Sequence, residues 1–308
     1  MTRLAIRAPG KALLSGEYGV LHGAPAIAVA VDRLVIATEG PGGEESPFVR
    51  AAKSYAAKNG GAQLGDVRVD STALYENGEK LGLGSSAAVT AAVVGLAMAK
   101  AERTLEPHAL FAVADAAHAE AQGTRGSGVD VAVSVYGGTI RFVRKNGNVD
   151  VRSVDLPDNV RLTFIWAGQP ASTGDMIARV KALAESQPAR HEAAIGRLVS
   201  QAHAFATAVA ANDPDGLIRA ADAYGIAMAA LGEAAEIEIV TRPHSLLAAL
   251  ARRHGGAAKP SGAGGGDLGV AFTVGNEATT ALRKDAQAAG LTVLSLGAPA
   301  PGLRLENA

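Results

Sequence analysis

The segment Gly82-Leu83-Gly84-Ser85-Ser86-Ala87-Ala88 stands directly before a long run of small and aliphatic residues. Its glycines let the backbone curl so that several N–H groups point inward. A helix starting at the serines adds unpaired N–H donors and the positive end of its dipole, which together make an anion site. One serine hydroxyl can cap that helix, and one can reach a magnesium ion, a hard cation that takes oxygen ligands. An ordinary Gly-Ser turn with a serine cap has the same composition. The GKS or GKT ending of a Walker loop is missing, and so is the GxGxxG of a dinucleotide fingerprint, so neither design applies. Two other places could serve an anion. Lys11 follows an expected Pro9-Gly10 turn after a strand, and its ammonium can face a phosphate, a reacting hydroxyl or solvent. Residues 259–267, KPSGAGGGD, form a glycine-rich turn that can line the far side of a phosphate site or run as a surface loop. The seven histidines are scattered without HxxxH or HExxH spacing and cysteine is absent, so histidine or thiolate metal sites and cysteine nucleophiles are not expected.

These residues need elements to hold them. Arg3–Ala8 alternates like a strand, and Ala26–Ala37 reads as a hairpin-like pair broken at Asp32-Arg33. Ala51–Asn59 suits a short helix ending on two glycines, and Val67–Val69 a short strand. Ser85–Glu102 is the clearest helix, apolar on most sides and therefore buried. Pro107–Gln122 is a second helix with Gly123 as its stop, and Gly137–Arg144 a strand. Composition shifts near Val151–Asp158. Beyond it come a strand at Arg161–Ala167, a mostly helical stretch from 174 to 253, a strand at Leu268–Val274, a helix at Glu277–Gly290 and a strand at Leu291–Leu296. Interleaved strands and helices in both halves make the class α+β (mixed α/β). A chain of 308 residues holds one large domain or two ordinary ones, and the shift places a boundary near residue 155, dividing 1–155 from 156–308.

Bulk composition excludes several classes. With 48% apolar and 19% charged residues the chain is globular. A net charge of −1 offers no basic excess to displace counterions, so no nucleic-acid partner is expected. The N-terminus has no secretory h-region, and the most apolar stretch, Ala87–Ala99, is too short to span a bilayer. A cytoplasmic protein acting on a small molecule, without a membrane partner, is the expectation.

Three ordered segments together carry a family resemblance: APGKALLSGEYGVLHG from Ala8, GLGSSAA from Gly82 and SGAGGGD from Ser261. They resemble the motifs of the GHMP kinase superfamily, whose members include galactokinase, homoserine kinase, mevalonate kinase and phosphomevalonate kinase. The resemblance spans residues 8 to 270. It implies an N-terminal ATP-binding domain, a C-terminal ferredoxin-like domain and an active site in the cleft between them. Residues 117–144, AHAEAQGTRGSGVDVAVSVYGGTIRFVR, and the WAGQPAST run from Trp166 resemble phosphomevalonate kinases; Lys80 and Asp267 agree. GEYGVLHGAPA resembles mevalonate kinases instead, with Tyr18 where that family carries histidine.

The resemblance implies ATP and Mg2+, a monomer or homodimer, and a set of site residues. Lys11 and Asp130 are the implied catalytic pair, with Asp130 acting as base, as orienter of Lys11 or as a hold on magnesium. Lys80, Gly82, Leu83, Gly84, Ser85, Ser86 and Ala87 are implied to bind ATP, with Ser86 and Glu120 as metal ligands. Arg125, Ser127, Gly128, Arg141, Ser172, Thr173, Gly262, Ala263 and Gly264 are implied on the substrate side, with Arg144 a further cation. A phosphorylated acceptor calls for such cationic and hydroxyl partners. Trp166 suits a core position on its strand.

Overall fold

Apolar runs buried on both faces, joined through residues 16–25 and a short 3-10 helix at Gly19–His22, produce the two longest strands among the described residues, β1 (Leu4–Ser15) and β2 (Ala26–Glu39). The computed structural model describes residues 4–42, 44–76, 78–168 and 173–307. After β2 the first half continues with α1 (Pro47–Lys58), β3 (Val67–Asp70), the short pair β4 (Tyr75–Glu76) and β5 (Glu79–Lys80), α2 (Ser85–Lys100), α3 (Pro107–Gln122), α4 (Val129–Tyr136), β6 (Thr139–Lys145) and β7 (Asn148–Ser153). The second half holds β8 (Val160–Trp166), α5 (Thr173–Ser186), α6 (Pro188–Ala210), α7 (Pro214–Ala235), α8 (Arg242–Arg253), β9 (Ala257–Ser261), β10 (Leu268–Val274), α9 (Asn276–Ala288), β11 (Thr292–Leu294) and β12 (Arg304–Asn307).

The first sheet runs β12-β1-β2-β6-β7, with β3 added on β2. Its ladder corrects two sequence expectations. Pro9-Gly10 is no turn, because β1 continues through it. Pro9 pairs with Leu34 and Gly10 with Val31, so Asp32 and Arg33 are skipped in the register. That bulge lets a proline sit inside a long strand, and it turns the expected hairpin break into an irregularity of one continuous β2. The bulge is tied from outside: Gly297 N–H donates to Asp32 Oδ1 at 2.8 Å.

Helix α2 is buried from Ala87 to Met98, as a helix apolar all round must be. It packs on β1, β2, α1, α3 and α4. The second sheet has the antiparallel order β11-β8-β10-β9. Its chain order of strand, helices, two strands, helix and strand is the ferredoxin-like pattern. The boundary expected near 155 falls in the connection between β7 and β8. The C-terminal run nevertheless returns to the first sheet, where β12 pairs with β1. Among the described residues no helix is long and apolar enough to cross a membrane.

One buried group makes stability depend on pH. His244 is fully buried in the first turn of α8, where its Nδ1 lies 2.9 Å from the capping Thr241 hydroxyl. Burial lowers its pKa to about 4, helped by the Lys259 ammonium. The unfolded chain therefore binds a proton here that the folded chain refuses, so stability falls as pH drops from 6.5 toward 4. Between pH 7 and pH 5 the loss should be about 2 kcal/mol from this group. Urea unfolding at both pH values checks it. His244→Gln should flatten the slope, and an equal slope in that variant defeats the assignment.

Candidate active site

A cleft of about 340 Å3 lies between the two sheets' attached elements, within the size range of small-molecule sites. Its floor is the start of α2. Gly84 is the N-cap in left-handed conformation, φ 74° and ψ 37°, and no side chain caps the helix. The serine cap expected from sequence is therefore absent. Ala88 N–H makes the first bond, to Gly84 O at 3.1 Å, which leaves the N–H groups of Ser85, Ser86 and Ala87 to the cleft end of the helix. Ala87 itself is buried and does not line the cleft, whereas Gly82, Leu83, Gly84, Ser85, Ser86 and the hairpin's Lys80 do.

Strand β1 delivers Lys11 to this floor. Its backbone N–H donates to Leu83 O at 2.9 Å, which ties the loop to the strand. Its buried side chain runs beneath Gly84 and ends 3.5 Å from Asp130 Oδ2, in a pair with side-chain exposures of 7% and 40%. Asp130 stands in the first turn of α4, whose N-cap is Gly128 with φ 84°. A second helix N-terminus thus opens into the same cleft. Ser127 Oγ accepts from Val129 N–H at 3.3 Å and begins that turn.

Helix α3 supplies the third wall through Asp115, His118, Ala119 and Gln122. These residues share one face, at spacings of three, four and seven. Glu120 falls on another face, so the structure corrects its assignment to the metal site: exposed, it accepts from the Tyr55 hydroxyl at 2.7 Å. His118 occupies the inward position instead, its Nε2 3.1 Å from Ser86 Oγ. Burial pulls the His118 pKa below its usual value against the opposing pull of Asp130 and Asp115. Asp115 is held by Arg144 at 2.8 Å, with both side chains largely buried. Gly128 packs so closely on this pair that no Cβ fits there.

The fourth wall comes from the second half. Gly262, Ala263 and Gly264 line the cleft beside Ser261. A Cβ on Gly262 would lie 4.0 Å from Lys11 Nζ. Asp267 presses on Gly82, where a Cβ would come within 2.6 Å of its own Cβ.

Two proposed arginines do not reach the cleft. Arg125 is exposed outside it, and Arg141 pairs with Asp150 at 3.1 Å on the β6–β7 ladder. Ser172 lies outside the described residues; Thr173 begins α5. Trp166 is half-buried against the main core, as expected. Sequence reasoning missed Asp115, His118 and Gln122, although the phase of α3 could have grouped them. It also missed Glu17, which lines the cleft, and its buried ion-pair partner Lys259.

Residues 47–138 match the family model of the GHMP kinases N terminal domain. The chain carries the N-terminal domain of the GHMP kinases. A phosphomevalonate kinase from Streptomyces sp. (strain CL190) is 29% identical to it over 86% of this chain and 88% of that protein. A mevalonate kinase from Archaeoglobus fulgidus is 28% identical over 59% of this chain and 64% of its own length. Streptococcus pneumoniae phosphomevalonate kinase, solved in complex with phosphomevalonate and AMPPNP, superposes on this kinase with a TM-score of 0.82. That likeness covers 96% of this chain and 99% of that one at 17% identity, and it concerns the fold. The kinase fold expected from the three motifs is therefore present.

Proposed function

We propose that this kinase transfers the γ-phosphoryl group of ATP to the phosphate of 5-phosphomevalonate, giving ADP and 5-diphosphomevalonate. The observation that carries this reading is the pair of glycine-headed helix N-termini, α2 and α4, opening on one cleft with Lys11 and Asp130 between them. One such terminus suits the donor triphosphate, and the second suits an acceptor that already bears a phosphate. The Streptomyces relative, named a phosphomevalonate kinase and similar over most of both chains, supports the same acceptor.

In this reading the 82–87 segment holds ATP phosphates through its backbone N–H groups. Lys11 offsets charge building on the transferred phosphoryl group. The attacking oxygen of a phosphate monoester is already ionised near neutral pH, so Asp130 serves chiefly to hold Lys11 in place. Ser127 and Gly128 receive the acceptor from one side and residues 262–264 from the other. The ATP-binding unit is residues 1–155, completed by the returning strand β12, and the second unit is the remainder to residue 303.

Magnesium fits the donor set in the cleft. Ser86 Oγ and the Asp130 carboxylate are oxygen donors of the kind a hard cation takes, and bound phosphates supply further oxygens. Among the described residues no group of three or more His, Cys, Asp or Glu side chains gathers to hold a metal by itself. Such an ion would neutralise phosphate charge.

Mevalonate kinase is the second reading, favoured by the GEYGVLHG segment and by the Archaeoglobus relative. A coupled ADP-release assay with mevalonate and phosphomevalonate side by side decides between them. Phosphomevalonate should give kcat/KM at least ~100-fold higher, the scale on which a site built for a charged group rejects its absence. Turnover of mevalonate alone defeats the preferred acceptor.

A further inference from the structure

The glycine loop after β9 is tied to the opposite end of the chain by side chains that phosphoryl transfer, as described above, does not use. Glu17, just past β1, forms an ion pair with Lys259 of β9, and their side chains are 1% and 0% exposed. The same carboxylate oxygen accepts from Gly262 N–H at 3.4 Å. Lys259 Nζ also donates to Pro260 O at 2.8 Å and lies 5.4 Å over the Tyr224 ring. Tyr224 OH donates to Glu17 O at 2.8 Å, which fixes the backbone that carries the carboxylate. Ser261 Oγ accepts from Leu13 N–H at 2.8 Å, and Tyr18 OH donates to Ala263 O at 2.5 Å. These ties run from β1 and the turn behind it to residues 261–263.

Stability is a poor reason for such a pair. Removing two charges from water costs about what their attraction returns, and a well-packed apolar pair does as well. Glu17 Oε2 is moreover buried without a hydrogen-bond partner among the described residues, which adds cost. What the pair supplies is direction, at the point where the loop meets Lys11. We infer that Glu17 and Lys259 are positioning residues for phosphoryl transfer: they clamp the loop at 261–264 against the reacting end of Lys11. They act through the loop and do not touch the transferred group.

The inference rests on the kinase reading but not on the choice of acceptor, so each assay uses whichever acceptor the wild-type enzyme turns over. Glu17→Gln combined with Lys259→Met removes both charges and leaves neither unpaired. This variant should melt within ~3 °C of wild type and bind ATP, measured without acceptor, within ~3-fold, because the donor loop lies on the other wall. Its kcat should fall at least ~30-fold, the scale of a displaced catalytic contact. Glu17→Asp keeps the charge but draws the carboxylate back by one methylene. It should cost kcat at least ~10-fold with ATP affinity kept, and it decides the matter alone if the double variant does not fold. Wild-type kcat in a folded variant overturns the inference. So does a parallel loss of ATP affinity and kcat, which marks diffuse damage instead of a displaced loop. A wild-type enzyme inactive on both acceptors would sink the proposed function and leave this inference with nothing to position.

Discussion

Asp130→Ala and Lys11→Met should each lower kcat by at least ~100-fold, the usual cost of removing one preorganised electrostatic group. ATP affinity should stay within a few-fold in both, because the phosphates are received by backbone N–H groups at the start of α2. Methionine is the informative replacement at position 11. The Lys11 side chain is almost fully buried beneath Gly84, and methionine keeps most of that packing while deleting the charge. Asp130 is left without its partner in that variant, but its 40% exposure allows water to take over. Stability should therefore change little while turnover collapses. The two changes together should cost scarcely more than either alone, since a pair acting as a unit is lost once. Single-turnover kinetics with saturating ATP make the measurement. Near-normal rates in both single variants would remove Lys11 and Asp130 from the chemistry.

How far this arrangement could be read in the sequence depended on whether local pattern and tertiary setting agree. Leu268–Val274 was legible as a strand, and the run from Ser85 as a buried helix, because their composition leaves little choice. Helix α4 was not legible. Val129, Val131, Val133 and Val135 alternate with period two, the pattern of a strand, and glycines flank both ends. Packing against β1, α2 and α3 overrides that preference. The consequence is functional, since the helix sets Asp130 in its first turn and opens a second N-terminus on the cleft. The short β12 was hidden because its partner lies some three hundred residues away. Site residues followed the same division. Motifs named Lys11, Ser86, Asp130 and the 262–264 loop, and all of them line the cleft. Glu120 was named and the inward-facing His118 was missed because a motif carries residue type but not helix phase. Glu17 and Lys259 pair across a sequence separation of 242, which no local reading can supply.

Gly84→Ala should cut turnover sharply through the addition of a single methyl group. Two costs combine there. Gly84 sits at φ 74°, where a Cβ meets the backbone and costs about 1 kcal/mol. The new Cβ would also fall 2.9 Å from Lys11 Cγ and 3.0 Å from Lys11 Cε. Those atoms belong to the stem of a buried side chain, so relief must come from moving the ammonium or opening the loop. A displacement near 1 Å at a reacting group is worth about 100-fold in rate. Overpacking of this kind costs about 1–3 kcal/mol in stability. Gly290→Ala separates the two costs. Gly290 has φ 81°, but an added Cβ meets nothing within 4 Å. It pays the backbone strain alone, far from the cleft, and should keep full turnover with a Tm only slightly lowered. The expected signature is thus a kcat loss of at least ~50-fold in Gly84→Ala against none in Gly290→Ala, with both chains folded at the assay temperature. Equal activity in the two variants would show that Lys11 can leave its place under Gly84 without consequence, and the pairing with Asp130 would then lose its claim to the chemistry.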